Sequence, residues 1–376
     1  MEDIYRQLQK YFDRAPVGFP PTQSGVELRL LKHLFTEEEA KVALNLSLMP
    51  ETAEKIHKRF KKGEISLEEL KVHLNNLAKK GSILGTKKSS KDPEMIYGRL
   101  PLAIGMFEFQ VDRITKGLAE DFFAYEDEAF AEEFVSTDTK QIRTIPVNVK
   151  IDPEFHIGNY DNMREIVNKS PGPFAVMNCV CRQAKDKMGT PCQQTEVRET
   201  CLTIGNSAKH MVRRGVGREL KREEVMKMMT RAKKEGMVIQ PENNQNPSFI
   251  CFCCGCCCGV LNGAKKFEKP AEFVHSNFYA DILAEKCEAC EDCQNICQME
   301  AIDRVNGHME VNNDRCIGCG LCIPVCKNKA ISLLKHEKEF TPPKDSKDMY
   351  KKILYEKEGL IGTLNFVGRA ALGKKV

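Results

Sequence analysis

Residues 287–297 read CEACEDCQNIC, and residues 316–326 read CIGCGLCIPVC. Both runs have the spacing C-x2-C-x2-C-x3-C, so one cysteine pattern occurs twice near the C-terminal end of the chain. The similarity continues beyond the cysteines, because an Ala-Ile pair follows each run at the same distance, at residues 301–302 and 330–331. The repeat therefore predicts two sites of the same kind, built by two similar segments.

The spacing of these cysteines favours iron–sulfur chemistry. Three thiolates two residues apart can surround one face of a four-iron, four-sulfide cluster along a tight loop, and the doubled run is that of two-cluster proteins. Zinc is one alternative because paired CxxC motifs bind it, but the doubled run is not a zinc spacing. Disulfides are another alternative, and they need a secretory context. The sequence thus predicts two 4Fe–4S clusters that carry single electrons.

The segment of about residues 282–334 resembles the bacterial-type dicluster ferredoxin domain. In that family the two runs exchange their fourth cysteine. Between the two runs of this chain, Asn306-Gly307 predicts the turn of a hairpin. The family usually has proline after the fourth cysteine, whereas Gln298 and Lys327 stand there in this chain. The resemblance implies a first cluster on Cys287, Cys290, Cys293 and Cys326, and a second cluster on Cys316, Cys319, Cys322 and Cys297.

Ten of the eighteen cysteines lie outside these runs, in the middle of the chain. They follow predicted strands in a βαβ-like pattern, and residues two apart in a strand point to the same side. We therefore expect each pair at a strand end to share a site, and some cysteines of the later group to complete the site begun by the earlier one. The earlier group is Cys179, Cys181, Cys192 and Cys201, and the later group is Cys251, Cys253, Cys254, Cys256, Cys257 and Cys258.

The chemistry of these ten cysteines has three interpretations. Soft thiolates select iron–sulfur clusters or zinc, so one or more further iron–sulfur clusters and a zinc site are the two metal interpretations. A redox-active dithiol pair is the third, because a strained vicinal disulfide can cycle. We favour a further iron–sulfur cluster, since a ferredoxin-like segment follows in the same chain.

Residues 24–104 contain four amphipathic helical stretches followed by two strands. Thr36 and Ser66 begin capping patterns, and a leucine stripe follows Ser66. This region resembles the winged helix–turn–helix family, with residues 66–80 as the second helix of the motif and residues 82–100 as the wing. DNA is a conceivable partner, but Glu68 and Glu69 stand where a recognition helix meets the bases. Winged helices also serve as protein-docking modules.

The chain as a whole is expected to be of the α+β class, with several domains. Its 376 residues suggest two or three domains, and its net charge of +4 does not select a class of partner. We predict four segments: a winged-helix-like domain at residues 1–104, a cysteine-rich α/β domain at 105–275, a dicluster ferredoxin domain at 276–335, and an amphipathic tail at 336–376.

The sequence also predicts a compartment. Its N-terminus has no basic segment followed by an apolar core, and no run of 18 apolar residues occurs, so neither a signal peptide nor a membrane span is expected. Cysteines that serve as thiolate ligands need a reducing environment. We therefore expect a cytoplasmic protein, in an anaerobic host because exposed clusters are sensitive to oxygen.

These patterns favour a ferredoxin-type electron-transfer protein that relays single electrons between a redox partner protein and the middle metal or thiol centre, within an oxidoreductase system. No dinucleotide fingerprint, Walker loop or flavin signature is present, and no catalytic residue is predicted. The alternative is an iron–sulfur redox sensor that binds DNA. A third hypothesis is an oxidoreductase with its own anionic substrate near Arg182, His210, Arg213, Arg214 and Arg218.

Overall fold

The computed structural model describes residues 2–88, 92–147, 159–372 and 374–376. They form two compact units: an N-terminal unit, Met1–Asp138 with Tyr350–Val376, and a central unit, Thr139–Met349. Both combine helices with strands, as the α+β class requires. The predicted boundaries near residues 104, 275 and 335 stay predictions, since one compact unit can contain more than one domain. The tip of the predicted wing, residues 89–91, lies outside the described residues.

The N-terminal unit is a helical layer beside a small antiparallel sheet. Its strands are β1 (Glu51–Thr52), β2 (Ile83–Lys87) and β3 (Met95–Arg99), in the order β1-β3-β2. The predicted capping box at Thr36 is confirmed, and the Ser66 side chain accepts a hydrogen bond from the Glu69 N–H, which satisfies a free amide at the start of a helix. The helices are α1 (Ile4–Phe12), α2 (Val26–Leu34), α3 (Glu37–Ala43), α4 (Ala53–His57), α5 (Leu67–Lys80), α6 (Lys116–Tyr125) and α7 (Ala131–Phe134).

A five-stranded sheet forms the middle of the central unit. Its strands are β4 (Phe174–Asn178), β5 (Glu199–Ile204), β6 (Arg218–Leu220), β7 (Val238–Pro241) and β8 (Phe249–Cys253). Their order is β6-β4-β5-β8-β7, and every neighbouring pair is antiparallel, so the predicted βαβ pattern and the α/β class of this region were wrong. The reason is local: after a two-turn helix, the chain returns through residues 188–198 and enters β5 in the reverse direction.

Helices of this unit cover the sheet and bury its apolar side chains. Their apolar residues, such as Val167 and Val225, join Ile250 and Phe252 of β8 in one hydrophobic core. The helices are α8 (Met163–Lys169), α9 (Val180–Lys187), α10 (Asn206–Arg213), α11 (Arg222–Lys234) and α12 (Gly259–Lys265).

The ferredoxin-like segment folds as two antiparallel strand pairs around the cysteine loops. Strand β9 (Phe278–Ile282) pairs with β12 (Ile331–Lys335), and β10 (Ile302–Val305) pairs with β11 (His308–Val311). The predicted hairpin turn is confirmed, because Asn306 and Gly307 both have positive φ, 49° and 88°, as a type I′ turn needs. One short helix, α13 (Asp292–Ile296), lies within the first cysteine run.

The ferredoxin-like segment shares its core with the five-stranded sheet. Met299, Ala301, Ile317 and Leu321 are buried in the same cluster as the apolar side chains of the sheet. Burial of apolar surface stabilises a contact by about 25 cal/mol for each Å² removed from water. The cysteine loops of the two regions therefore pack against one hydrophobic core.

The C-terminal helix α14 (Ser346–Ala371) is interrupted at Gly359, whose φ is 67°. Met349, Ile353 and Leu354 before this break are buried, whereas Leu360, Ile361, Leu364 and Val367 after it are exposed, Ile361 by 77%. The predicted amphipathic tail is thus buried before Gly359 and largely exposed after it within α14. Its last residue contacts the protein again, since the Leu48 N–H donates to the Val376 carbonyl at 2.9 Å. In the described part of the chain, no helix combines the length and apolar character that crossing a membrane would need.

Candidate metal centres

A cavity of about 150 Å³ opens among the loops of the ferredoxin-like segment. Its cysteine lining consists of three residues of the first run and the last residue of the second run: Cys287, Cys290, Cys293 and Cys326. This is the set that the exchange of fourth ligands implied. Cys290 is exposed while Cys293 is buried, so the cavity lies close to the surface on one side.

The second predicted set is also gathered in the structure. Burial raises the pKa of the Cys319 thiol, and the nearby Cys297 raises it further. The pKa of Cys322 is raised by burial and then by Cys319, Cys316 and Cys297. The last cysteine of the first run therefore lies among the three leading cysteines of the second run. Because a ligand must be a thiolate, metal binding at these buried thiols would release protons.

Backbone N–H groups donate to the thiols in a pattern that the two runs share. The fourth cysteine of each run accepts from the alanine four residues later, Ala301 to Cys297 and Ala330 to Cys326, both at 3.3 Å. The first cysteine of each run accepts from a strand, Met309 to Cys287 at 3.3 Å and Ala280 to Cys316 at 3.4 Å. Hydrogen bonds to cluster sulfurs stabilise negative charge and tune the reduction potential.

The middle cysteines form two groups in space, and membership of these groups does not follow the order of the cysteines in the sequence. The first, which we call the compact group, consists of Cys192, Cys254, Cys256 and Cys257, whose Sγ atoms all lie within 4.8 Å of one another. The Sγ–Sγ separations are 3.6 Å from Cys192 to Cys254, 3.7 Å from Cys192 to Cys256, and 3.6 Å from Cys256 to Cys257. One ligand comes from the loop before β5, and three come from the turn after β8.

The second group, which we call the sheet group, is organised by the strands. Cys201 of β5 lies directly opposite Cys251 of β8, and Cys253 points to the same side as Cys251, as predicted. The expectation that Cys179 and Cys181 share the side of a strand was wrong, because Cys179 follows β4 and Cys181 lies in the first turn of α9. The whole group is Cys179, Cys181, Cys201, Cys251, Cys253 and Cys258.

Side-chain contacts hold the sheet group together despite that difference. A hydrogen bond from Cys181 lowers the pKa of Cys179 to about 7, against the effect of burial, and the Arg182 guanidinium lowers it further. Hydrogen bonds that the Cys253 thiol donates to Cys251 and Cys258 raise its pKa. Some of these thiols are thus biased toward the thiolate form and others toward the protonated form. A bound metal centre would hold each of its cysteine ligands as a thiolate.

Arg182 lies between the two groups and is fully buried. Its guanidinium donates to the Phe252 carbonyl at 3.1 Å and to the Thr200 hydroxyl. No carboxylate of the described ranges forms an ion pair with it. Its pKa is raised by the thiolates of Cys179, Cys254 and Cys192, which outweigh the desolvation that acts in the opposite direction. Thiolates are the main balance of this buried charge, and the Glu235 carboxylate also interacts with it. An anionic metal centre would suit such a site.

Among the described residues, the cavity that Arg218 lines does not bring the five residues of the predicted anion site together. Arg218 lines a cavity of about 670 Å³, but it is paired with Glu199 at 2.8 Å and with Glu224 at 3.1 Å, and both carboxylates line the same cavity. His210, Arg213 and Arg214 do not line this cavity, and Arg182 contacts the thiol groups instead.

Gln298 connects the ferredoxin-like segment to the turn that carries the compact group. This contact was not predicted from the sequence. Its side-chain oxygen accepts from the Gly255 N–H at 2.7 Å, and its amide nitrogen donates to the Gln194 side chain at 2.9 Å. Gly255 lies between two thiols of the compact group, and Gln194 is two residues from a third. The signal for this contact in the sequence was that glutamine stands where the ferredoxin family usually has proline.

Two cysteine sets on ferredoxin-like loops, with backbone N–H groups on their sulfurs, define an iron–sulfur domain of the ferredoxin type. In agreement, residues 270–337 match the family described as the LdpA Fe-S cluster-binding domain. The chain is 33% identical over 84 residues to an uncharacterized ferredoxin, MJ0265, of Methanocaldococcus jannaschii, covering 22% of this chain and 50% of that protein.

A second relative is the putative electron transport protein YsaA of Escherichia coli, 40% identical over 55 residues, or 14% of this chain and 35% of that protein. The chain thus spans about half the length of the first relative and about a third of the second. No solved structure matches the chain. The family match therefore lies in the ferredoxin-type segment.

Proposed function

We propose that this chain is an iron–sulfur electron-transfer protein of the ferredoxin type, which relays single electrons between a redox partner protein and a metal centre on its middle cysteines. The observation that carries the proposal is the Gln298 bridge, which joins the residue after Cys297 to the turn between Cys253 and Cys258 of the sheet group. The relatives support it, since one is named a ferredoxin and the other a putative electron transport protein.

The proposed path has an outer and an inner end. The first cluster would be held by the cysteines of the 150 Å³ cavity, and exposed Cys290 makes it the place where a partner protein can approach. The second cluster would be held by Cys297 with the second run. Cys297, Cys316 and Cys319 pack against the core of the five-stranded sheet, which brings this cluster toward the middle cysteines. Electrons would thus pass from the first cluster to the second and then to the middle centre.

The sheet group is the part of the middle region best suited to a further iron–sulfur cluster. Its six thiols come from two strands, one helix start and one turn, and Arg182 supplies a buried positive charge beside them. Burial and neighbouring charge are levers on cluster potential. Such centres need a reducing compartment with little oxygen, as in the cytoplasm of an anaerobe.

For the N-terminal unit, whose strand order and α5 suit a winged helix, we infer protein docking rather than DNA binding. Lys71 on α5 is paired with Glu54 at 3.1 Å and with Glu68 at 3.6 Å. Lys88, next to the tip of the wing, is paired with Asp92 at 3.2 Å and with Glu94 at 3.5 Å. These acids neutralise lysines that phosphate contacts would require. Salt-dependent duplex binding that changes with cluster state would contradict this inference.

The test of the relay is a stepwise reduction of the anaerobically purified protein, followed by iron and sulfide analysis and electron paramagnetic resonance. We expect more than about eight iron and eight sulfide per chain, the sum of two four-iron clusters, and a third redox-active signal that interacts with the others. Two clusters alone, with middle cysteines that stay silent throughout the titration, would contradict the relay.

A further inference from the structure

We propose that the compact group, Cys192, Cys254, Cys256 and Cys257, binds a single zinc ion, separate from the iron–sulfur chemistry of the rest of the chain. The proposal concerns a structural metal, so it goes beyond electron transfer and does not depend on it.

The separations between the thiols carry the argument. With zinc–sulfur bonds of about 2.3 Å, a regular tetrahedron of four thiolates has edges of roughly 3.8 Å. The separations of 3.6, 3.7 and 3.6 Å in the compact group agree with these edges. A four-iron cluster attaches each thiolate to a different iron and therefore needs a wider set of thiols. Four Sγ atoms within 4.8 Å of one another leave no space for it.

The same chain provides an internal comparison. All eight cysteines of the ferredoxin-like segment are described, yet no three of them have Sγ atoms within this distance of one another. Four of those eight, Cys287, Cys290, Cys293 and Cys326, instead line a cavity, as the larger cluster requires. The sheet group, likewise fully described, forms no such close set. The close spacing of the thiols in the compact group thus suits one ion, whereas the wider spacing in the other two sets suits clusters.

The backbone around the compact group is arranged to present the thiols inward. The Cys257 and Cys258 N–H groups both donate to the Cys254 carbonyl, at 3.4 and 3.1 Å, so the chain turns back within a few residues. Gly255 allows the close approach of the Gln298 carbonyl, which a Cβ would meet at 2.3 Å. Four protein ligands complete a tetrahedron and leave no open position, which is the composition of a structural zinc site.

Charge and ion preference are consistent with zinc. Four thiolates around a divalent ion leave two negative charges, and the buried Arg182 guanidinium stands beside Cys192 and Cys254. Zinc binds a given set of ligands more tightly than ferrous iron does, and a tetrahedral set of four sulfurs suits it. The ion would fix the turn after β8, which also carries Cys253 and Cys258 into the sheet group and offers Gly255 to Gln298.

The direct test uses the wild-type full chain, produced without oxygen in medium that contains both iron and zinc. We expect about one zinc per chain, with four sulfur neighbours at about 2.3 Å and no iron neighbour in zinc-edge X-ray absorption. Incubation with excess ferrous iron and sulfide should leave this zinc in place. Absence of zinc, a single iron in its place, or conversion to a cluster during incubation would each overturn the proposal.

Matched cysteine variants locate the ion. Cys256→Ser should lose the zinc and keep the iron and sulfide of the wild type, whereas Cys201→Ser, in the sheet group, should keep the zinc. Loss of iron and sulfide with retained zinc in Cys256→Ser would overturn the assignment. Should Cys256→Ser not fold, the wild-type absorption measurement still decides. Because these readouts are metal content and bond length, a failed electron relay would leave them unaffected.

Discussion

The Gln298 side-chain oxygen accepts a 2.7 Å hydrogen bond from the backbone N–H of Gly255. This bond connects the end of the first ferredoxin cysteine run to the turn that carries the compact group. Gln298 is 7% exposed, so water does not compete strongly for the bond. The equivalent position in the second run is Lys327, which is exposed. One copy of the repeat has thus acquired an internal contact that the other lacks.

Replacement of Gln298 should weaken electron transfer between the ferredoxin-like segment and the middle region. We expect Gln298→Ala to slow electron transfer from the second cluster to the middle centre and to cost about 1–3 kcal/mol of stability, because buried polar groups lose their partners. The measurement is rapid-freeze paramagnetic resonance after reduction of the clusters, with denaturant unfolding for stability. Lys327→Ala is the matched control and should behave as wild type. Equal rates in both variants would remove Gln298 from the path.

The exchange of fourth ligands can be tested by combining cysteine variants. Cys326→Ser and Cys290→Ser should each disrupt the first cluster, so the double variant should lose no more iron than either single variant. Cys326→Ser with Cys319→Ser should lose about twice as much, since they would then affect different clusters. Iron and sulfide analysis with paramagnetic resonance gives the answer. The reverse pattern of additivity would mean that each run binds its own cluster.

Part of this organisation could be predicted from sequence because it is local. The doubled spacing and the Asn306-Gly307 turn are determined within short segments, and the hairpin was found as expected. The direction of β5 could not be predicted, because alternation of strands and helices does not say which way the chain returns. The joining of Cys192 to Cys254 depends on that direction, since it follows from the antiparallel pairing of β5 with β8.

The stability of the central unit should fall in mild acid through His210. Burial, followed by Arg214 and Arg213, lowers the pKa of His210 to about 4, below the value of about 6.5 in an unfolded chain. Between these values the unfolded state binds a proton that the folded state does not. Stability is therefore complete above about pH 6.5 and decreases toward pH 4, by at most about 1.4 kcal/mol per pH unit for one proton.

Urea unfolding followed by circular dichroism between about pH 5 and 8 would measure this slope, in the range where His210 titrates. The variant His210→Gln should show a smaller slope below pH 6.5 than the wild type, while the two should run parallel above it. Identical slopes in both proteins would assign the acid sensitivity to other groups.

Arg182 should set the potential of the middle centre. Its buried charge has thiolates as its negative neighbours, and removal of a positive charge near a redox centre makes reduction harder. For Arg182→Met we expect a reduction potential lower by on the order of 100 mV, from a charge interaction of a few kcal/mol at intermediate dielectric. Arg182→Lys, which keeps the charge, should recover much of that shift.

Arg143 is the matched control, because it is also fully buried but has Asp161 at 3.9 Å as its ionic partner. Arg143→Met should lower stability, since Asp161 would remain buried without its cation, and should leave the potential unchanged. A redox titration monitored by paramagnetic resonance distinguishes the two arginines. If both variants shifted the potential equally, the effect of Arg182 would be one of general unfolding; if only Arg182→Met did so, its charge acts on the centre directly.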